Sequence, residues 1–282
     1  MRPAILTDRN LSLMEASTCA NLTDAGNSMR LFGLTDDIRS ILDVNIGRNY
    51  SVWLKKDSTL ATSIDIAIQN CLVELISARF PGDSILYEEG EAMHHGNSDY
   101  TWVIDPIDGT QNFSEGKREY SVSVGLMKGR KFIESLVIFP AYKKELYAAF
   151  DGSLKINGKQ INERSNEGTN CKKIVLCSKT YEKYKDFFIK MGYTPFYFRC
   201  ATYSMLMVLQ REAFLYITLR TMLYDVGPMS LALENCGFQI LDVAMNEITF
   251  NPTLEQIPAI LCADPNHSEI VRVLVKESKI LE

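Results

Sequence analysis

Two closely spaced aspartates end a short apolar run in the first half of the chain. Residues 101–104 are typical of a buried strand, and residues 105–110 (DPIDGT) follow directly. Carboxylates this close repel each other unless a proton or a cation lies between them, and oxygen ligands in a compact turn suit Mg²⁺. A glycine allows a ligand to approach the backbone, and the amides at a helix start can bind an anion. The segment therefore predicts a site for a metal ion and an anion such as phosphate, with a capped turn at a strand end as the competing interpretation.

Three further acidic groups flank predicted strands or helices. Glu88 and Glu89 follow a strand predicted for residues 84–87. Asp225 stands at or just before a predicted helix, and Asp57 lies in a loop with two lysines. Taken singly, the glutamates are consistent with a solvated turn, Asp225 with a helix N-cap and Asp57 with an exposed loop. Together with the first segment they supply what phosphoester hydrolysis needs: bound cations to neutralise phosphoryl oxygens, and a side chain to orient a water. In that interpretation the Asp57 loop is a lid whose lysines attract phosphate.

Helices and strands alternate around these acidic groups. Apolar residues recur at helical spacing over residues 63–80, and Pro81-Gly82 ends that helix. Short β-like runs follow, and the second half alternates strands with helices, one of them predicted over residues 203–211. Such an order predicts a mixed α/β (α+β) fold of layered helices and sheets. A polar stretch near residues 165–172 places a seam between an N-terminal subdomain, 1–165, and a C-terminal subdomain, 166–282.

Composition excludes several classes of protein. The 282 residues are 46% hydrophobic and 23% charged, which is ordinary for a globular chain. A net charge of −5 gives no basic excess, which argues against partners such as a nucleic-acid polymer or a membrane surface. The apolar runs are too short for a membrane span, and the first ten residues lack a signal-peptide core. Seven cysteines without a C-x-x-C pair are typical of free thiols, so we expect a cytoplasmic protein.

The acidic segments jointly resemble the signatures of the inositol monophosphatase superfamily of Mg²⁺-dependent, typically lithium-sensitive sugar and nucleotide phosphatases. Residues 105–113 (DPIDGTQNF) are similar to its D-P-[IL]-D-G-T-x-N-F signature. Residues 88–89 (EE) and 224–225 (YD) resemble its E-E and W-D motifs. The resemblance runs from about residue 50 to the C-terminus. It implies a layered αβαβα sandwich of the inositol monophosphatase and fructose-1,6-bisphosphatase type, often dimeric.

The same resemblance implies roles for individual residues. The metal ligands, for two or more Mg²⁺ ions, would be Glu88, Asp105, the Ile107 carbonyl, Asp108 and Asp225. The catalytic side chains would be Thr110, Asp57 and Glu89. The phosphate would be contacted by Gly109, Thr110 and Gln111. The substrate candidates, from the region where the resemblance is weakest, are Arg199, Tyr203 and Arg220.

Departures from the family pattern leave the substrate open. Thr218 stands where the family has a substrate-reading Glu, and Tyr224 replaces a Trp, as in the histidinol-phosphate branch. Thr59 stands where inositol monophosphatases have an extra Asp. We therefore predict a homodimeric phosphoric monoester hydrolase for a small phosphorylated metabolite: an inositol-phosphate-like ester, histidinol phosphate, a sugar phosphate or adenosine 3′,5′-bisphosphate. The alternative is a catalytically impaired pseudophosphatase that binds metal and phosphate as a sensor or scaffold, an idea motivated by Pro228 in the helix after Asp225.

Overall fold

A computed structural model describes residues 29–56, 58–90, 93–161, 171–242, 244–253, 256–257, 260–263 and 267–278. The helices in these ranges are α1 (Thr35–Asn45), α2 (Ser63–Arg79), α3 (Thr110–Ser114), α4 (Ser178–Lys190), α5 (Ala201–Leu209), α6 (Leu223–Asn235) and α7 (Ser268–Ser278). The strands are β1 (Val52–Leu54), β2 (Leu60–Thr62), β3 (Ser84–Tyr87), β4 (Met93–His94), β5 (Tyr100–Asp108), β6 (Ser121–Lys128), β7 (Lys131–Phe139), β8 (Lys144–Ala149), β9 (Leu154–Ile156), β10 (Lys159–Gln160), β11 (Lys173–Leu176), β12 (Thr194–Phe196), β13 (Leu215–Thr218), β14 (Gln239–Asp242) and β15 (Ile260–Ala263).

Most of these strands form two large sheets. The first has eight strands in the order β10-β9-β8-β7-β6-β5-β3-β4, antiparallel except for the parallel pair β3 and β5. The second has five strands in the order β12-β11-β13-β15-β14, in which β12, β11 and β13 are parallel. β1 and β2 form a separate antiparallel hairpin just before α2.

Successive side chains of a strand pack on opposite faces of each sheet, so each sheet lies between two layers of helices. On β5, Trp102 and Ile104 pack with α1 and α2, whereas Val103 between them packs with α5 and α6 on the other face. On β11, Val175 joins that same inner cluster, whereas its neighbours pack outward with α4 and α7. The resulting order is helices, sheet, helices, sheet, helices. The predicted αβαβα sandwich is confirmed.

Helix α2 shows how local signals produce one of these layers. Its buried face carries Ile64, Ile68, Leu72 and Ile76 at helical spacing, as the sequence predicts. Thr62 caps the helix in a capping box with Asp65, so the strand β2 ends where the helix begins. None of the helices that the structure describes is long and apolar enough to cross a membrane.

The predicted subdomain boundary between residues 165 and 166 lies outside the described residues, so the division into 1–165 and 166–282 stays a prediction. Both sheets contribute to one shared hydrophobic cluster around α5 and α6. The ends of strands from both sheets therefore meet around the same pair of helices, and the site lies there.

Candidate active site

A cleft of about 590 Å³ is lined by segments from both sheets. Its volume falls within the roughly 300–1,000 Å³ of small-molecule sites. Of the residues predicted from the sequence, those that line it are Glu88, Asp108, Gly109, Thr110, Gln111, Arg199, Arg220 and Asp225. Asp105, Glu89 and Tyr203 do not belong to its lining, and neither does Ile107. The folding of the chain thus brings most of the candidates to one cavity from five separate stretches of sequence.

A second cavity of about 600 Å³ lies between α1 and β8. Its charged side chains include Arg39, whose guanidinium is already bound by the Glu145 carboxylate at 2.7 Å. It contains none of the residues that the sequence analysis selected. The first cleft is therefore the candidate active site.

The end of β5 carries two buried aspartates into the site. Asp105 is 1% exposed, and among the described residues its Oδ1 has no hydrogen-bond partner. Burial raises the pKa of Asp105 well above its ordinary value, and the negative charges of Glu88, Asp108 and Asp225 raise it further. Pro106 has no N–H for the sheet, and the pairing with β6 shifts register between Asp105 and Asp108. Both carboxylates consequently lie at the same end of one strand.

Asp108 caps the N-terminus of α5. Its Oδ2 accepts hydrogen bonds from the Thr202 N–H at 2.7 Å and the Thr202 hydroxyl at 2.6 Å, and also from the Cys200 thiol at 3.1 Å. Its Oδ1 accepts from the Ala201 N–H at 3.1 Å. Burial raises the pKa of Asp108 overall, although these donors lower it in part. Asp108 therefore ties the first sheet to a helix 93 residues further along the chain.

Asp225 lies in the first turn of α6, which begins at Leu223, whereas the sequence predicts Asp225 at or just before the helix start. Its Oδ2 accepts hydrogen bonds from the Met222 N–H at 2.8 Å and the Thr221 hydroxyl at 2.9 Å. Burial, followed by the charge of Asp108, raises the pKa of Asp225 to about 6. The N-cap interpretation is wrong in position, because the N-cap is Met222, but the Asp225 carboxylate still binds the N-cap amide and the residue lines the cleft.

Lys55 is the cation that faces this acidic group. Its ammonium donates to Glu88 Oε1 at 2.7 Å and to Glu89 Oε1 at 2.8 Å. Burial lowers the pKa of Lys55, but the two glutamates raise it above its ordinary value overall. For the acid Glu88 the effect of burial is opposite: it raises the pKa, and Lys55 offsets only part of that increase. The lid lysine therefore binds protein carboxylates here, whereas the sequence predicts that it attracts phosphate.

Thr110 contacts an aspartate that the sequence analysis did not select. The Thr110 hydroxyl lies 3.1 Å from Asp65 Oδ1 and 2.9 Å from the Ile107 carbonyl oxygen. The other oxygen of Asp65 accepts from the Thr62 N–H at 2.9 Å and from the Thr62 hydroxyl. The sequence signal for Asp65 is its place in a Thr-x-x-Asp stretch, three residues after Thr62, which by spacing alone indicates a helix cap. Asp57, which was selected for catalysis, lies outside the described residues.

Gly109 has a conformation that other residues rarely adopt. Its φ is +86°, and a Cβ at this position would lie 2.8 Å from the Glu119 carbonyl oxygen and 3.0 Å from the Cys200 Cβ. The adjacent Asn112 side chain donates to that same Glu119 carbonyl at 2.7 Å and to the Phe198 carbonyl at 2.6 Å. The turn after β5 is thus packed against the segment that precedes α5, with no room for a side chain at Gly109.

The remaining candidates divide between cleft and core. Gln111 and Arg199 line the cleft, and both bind the exposed Glu115 carboxylate, at 2.9 and 3.2 Å. The Tyr203 hydroxyl lies 3.2 Å from the Tyr142 hydroxyl, and its ring packs against the inner hydrophobic cluster. Glu89 is 4% exposed, and Gln69 binds both its backbone N–H and its carbonyl. Tyr203 therefore has packing contacts in the core. The Glu89 carboxylate shares the Lys55 ammonium with Glu88, and its catalytic role stays a prediction.

The chemistry of the site suits a divalent cation. Within the described ranges, no three acidic, histidine or cysteine side chains already stand close enough to hold a metal ion. Carboxylate and carbonyl oxygens are the ligands that Mg²⁺ prefers. The raised pKa of Asp105 and its oxygen without a hydrogen-bond partner indicate negative charge that a cation would neutralise. The residues therefore fit Mg²⁺ in kind.

Comparisons with known proteins place this arrangement in a family. Residues 32–279 match the model of the inositol monophosphatase family. The chain is 37% identical to the Nus factor SuhB of Pasteurella multocida over 121 residues, which is 41% of this chain and 45% of that protein. It is 33% identical to a histidinol-phosphatase of Chlorobaculum parvum over 135 residues, 48% of this chain and 51% of that protein. The matched stretch thus spans about half the length of these curated relatives.

A solved structure shares the fold at lower identity. An IMPase/NADP phosphatase, complexed with Mg²⁺ and phosphate, superposes with a TM-score of 0.74 over 86% of this chain and 92% of its own, at 17% identity. At that identity the likeness concerns the fold alone. The family match extends over nearly all the residues that form the two sheets and the cleft between them. The chain therefore belongs to the inositol monophosphatase family.

Proposed function

We propose that this chain hydrolyses a small phosphomonoester and that the reaction depends on Mg²⁺. The observation that carries the proposal is the group of four carboxylates, Glu88, Asp105, Asp108 and Asp225, of which Asp105 and Asp108 are buried and the other two half-buried. Burial raises the pKa of each, and the charges of neighbouring carboxylates raise those of Glu88, Asp105 and Asp225 further. Four like charges held together by the fold destabilise it unless a cation is part of the working protein. The family and the names of its members support the same reaction class.

The ions, two or more, would be held by these four carboxylates together with the Ile107 carbonyl. When bound, Mg²⁺ neutralises phosphoryl oxygens and lowers the pKa of a water. The similarly folded protein complexed with Mg²⁺ and phosphate supports this assignment. Lys55 neutralises part of the same charge by pairing with Glu88 and Glu89.

The contribution of the protein itself begins with Thr110 and Asp65. The single hydrogen of the Thr110 hydroxyl can go to Asp65 at 3.1 Å or to the Ile107 carbonyl at 2.9 Å. With that carbonyl engaged as a metal ligand, the hydrogen would go to Asp65, and the hydroxyl lone pairs would accept a hydrogen bond from a water in the cleft and orient it. Asp65 is buried and held by Thr62, so it fixes the direction of the Thr110 hydroxyl. Gly109, Thr110 and Gln111 line the same wall and would contact the phosphate. Asp57 keeps its predicted role in the lid.

The pseudophosphatase alternative loses its motivation in this geometry. Pro228 lies inside α6, where it cannot donate to the carbonyl of Tyr224, yet the helix continues to Asn235. The Ser123 hydroxyl lies 3.4 Å from that Tyr224 carbonyl oxygen. Asp225 keeps both of its hydrogen bonds, so the proline does not disturb the first turn of the helix. The predicted homodimer and cytoplasmic location remain predictions.

A phosphate-release assay tests the proposal. The substrates are inositol 1-phosphate, histidinol phosphate, fructose 1,6-bisphosphate and adenosine 3′,5′-bisphosphate, each with Mg²⁺ and with EDTA. We expect release from at least one ester, abolished by EDTA. Release from none of them with Mg²⁺, by a protein that binds Mg²⁺ in calorimetry, would favour the pseudophosphatase.

Asp105→Asn is the cleanest variant of the metal site. Asp105 Oδ1 has no partner among the described residues, whereas Asp108 caps α5, so a change at Asp108 would also weaken the fold. We expect Asp105→Asn to lower kcat at least about 100-fold without lowering the Tm measured in EDTA, because a buried charge is removed. Asp43→Asn on the exposed side of α1 is the matched control, with normal kcat. Normal activity of Asp105→Asn would refute the metal assignment.

A further inference from the structure

We infer that the alcohol released by this enzyme carries a second anionic group, a phosphate or a carboxylate, and that Arg220 and Arg199 bind it. The inference rests on the proposed phosphatase function and specifies its substrate class. The carboxylates and the Gly109 turn account for one part of the cleft lining, where the scissile phosphate would be held. The rest of the lining comes from residues 54, 58–60, 176–178 and 197–221, and these residues would contact the remainder of the substrate.

This second part of the lining has basic but no acidic side chains. Among the described residues of segment 197–221 that line the cleft, the charged ones are Arg199 and Arg220. The others are small, aromatic or hydroxyl-bearing, and Thr218 is one of them. A neutral polyol is bound mainly through hydrogen-bond acceptors for its hydroxyl hydrogens, and a carboxylate is the strongest such acceptor. Two guanidinium groups in a stretch that contributes no carboxylate to the cleft lining are instead suited to an anion.

Arg220 is available to such an anion. It lies in the turn between β13 and α6, where the Thr218 hydroxyl donates to its carbonyl oxygen at 3.2 Å. In the part of the chain that the structure describes, its guanidinium has no carboxylate within ion-pair distance. Guanidinium groups bind phosphate and carboxylate through two parallel hydrogen bonds, which gives them both affinity and directional preference.

The backbone at Arg199, a residue of the cleft lining, is fixed by bonds to the residues on both sides of it. Its φ is +55°, in the left-handed region that a residue with a side chain adopts only when its surroundings enforce it. Asn112 binds the carbonyl of the residue before it, and Asp108 binds the amides of the two residues at the start of α5. Its ion pair with Glu115 spans 3.2 Å between side chains that are 37% and 38% exposed. Exposed pairs of this kind are weak, so a substrate anion can replace Glu115.

The start of α4 adds to the same positive potential. Leu176, Cys177 and Ser178 line the same cleft as Arg199 and Arg220, and the 13-residue helix α4 begins at Ser178. The N-terminal end of a helix carries partial positive charge. The helix start supports the two arginines, which carry the inference.

The test compares esters that differ only in the second anion. Glycerol 2-phosphate and 2-phosphoglycerate share a carbon skeleton, and a carboxylate replaces one CH₂OH group. Inositol 1-phosphate and inositol 1,4-bisphosphate provide a second pair with a wider spacing. We expect the wild type to have a higher kcat/KM for the doubly anionic ester of at least one pair, mainly through KM. Arg220→Gln and Arg199→Gln should each reduce that preference by about 10-fold, the low end for a charge-assisted hydrogen bond because the side chains are exposed.

Controls separate this inference from the proposed function. Arg272→Gln, on the exposed face of α7, should keep the wild-type preference. Calorimetry with Mg²⁺ then measures binding without turnover, with phosphonoacetate as the doubly anionic probe and methylphosphonate as the singly anionic one. Tighter binding of phosphonoacetate, weakened by Arg220→Gln, supports the inference even if the wild type hydrolyses no ester. The inference is overturned if the two probes bind equally tightly, or if both esters of each pair are hydrolysed with equal kcat/KM. It is also overturned if the arginine variants leave the preference for the second anion unchanged.

Discussion

Replacing Asp65 by Asn tests whether this buried carboxylate acts beyond its helix cap. One oxygen binds the Thr110 hydroxyl and the other binds two donors of Thr62. An asparagine offers one acceptor and one donor group. With its oxygen towards Thr62, its NH₂ faces the Thr110 hydroxyl, which must then accept and give its hydrogen to the Ile107 carbonyl; turned the other way, its NH₂ faces the Thr62 N–H. Either orientation leaves an N–H without an acceptor or reverses the Thr110 bond. An unsatisfied buried polar group costs about 1–3 kcal/mol, which lowers the Tm of a chain this size by about 5 °C. If Asp65 orients the Thr110 hydroxyl, kcat should fall by about 10²–10³-fold as well.

The assay combines steady-state kinetics with thermal unfolding in four variants. Thr110→Val removes the hydroxyl with little change of shape and should reproduce the loss of kcat, whereas Thr110→Ser keeps the hydroxyl and should retain most of the activity. Thr62→Ala removes the helix cap, at a cost of about 1 kcal/mol, and should lower the Tm with a smaller effect on kcat. If Asp65→Asn lowers the Tm but leaves kcat within about threefold of the wild type, Asp65 is a capping residue only and the proposed relay is wrong.

Three further substitutions follow from the contacts of the site and the core. Gly109→Ala should inactivate the enzyme and lower its Tm, because φ is +86° and the new Cβ would lie 2.8 Å from a carbonyl oxygen; retained activity would show that the turn adapts. Lys55→Gln leaves Glu88 and Glu89 without their cation, so the Tm of this variant in EDTA should fall. The rise in Tm on adding Mg²⁺ should then be larger than in the wild type. An unchanged rise would argue that Lys55 and Mg²⁺ do not neutralise the same carboxylates. Burial raises the pKa of Glu134 above its unfolded value, so its contribution to stability is present at low pH and is lost as pH rises through the folded pKa. Glu134→Gln should remove this fall in the free energy of unfolding with rising pH, measured by urea unfolding from pH 4 upward. An identical pH dependence in variant and wild type would contradict the predicted effect of Glu134.

The local parts of the fold could be predicted from the sequence. The helix predicted over residues 63–80 is α2, Ser63–Arg79, because its apolar spacing, its Thr62 cap and the following Pro-Gly all concern neighbouring residues. The same holds for the turn at Gly109, whose positive φ is what a glycine after a strand indicates. The signature around it was also sufficient to indicate the family.

Helix α5 shows where local reasoning fails. The sequence predicts a helix over residues 203–211, but α5 spans Ala201–Leu209. Its first turn is stabilised by Asp108, which accepts from the Ala201 and Thr202 amides although it is 93 residues away in sequence. Because this capping residue comes from the end of β5, the residues around the start of α5 do not indicate it.

The sequence alone determined which side chains carry negative charge at strand ends, which residues face a core, and the reaction class that this combination implies. Tertiary structure decided which distant segments meet. It placed Lys55 on Glu88, Asp65 on Thr110, and the two arginines in the cleft lining. The physical reason is that hydrophobic periodicity specifies the buried face of each element without naming its partner. Contacts between chemical groups depend on how those faces pack together.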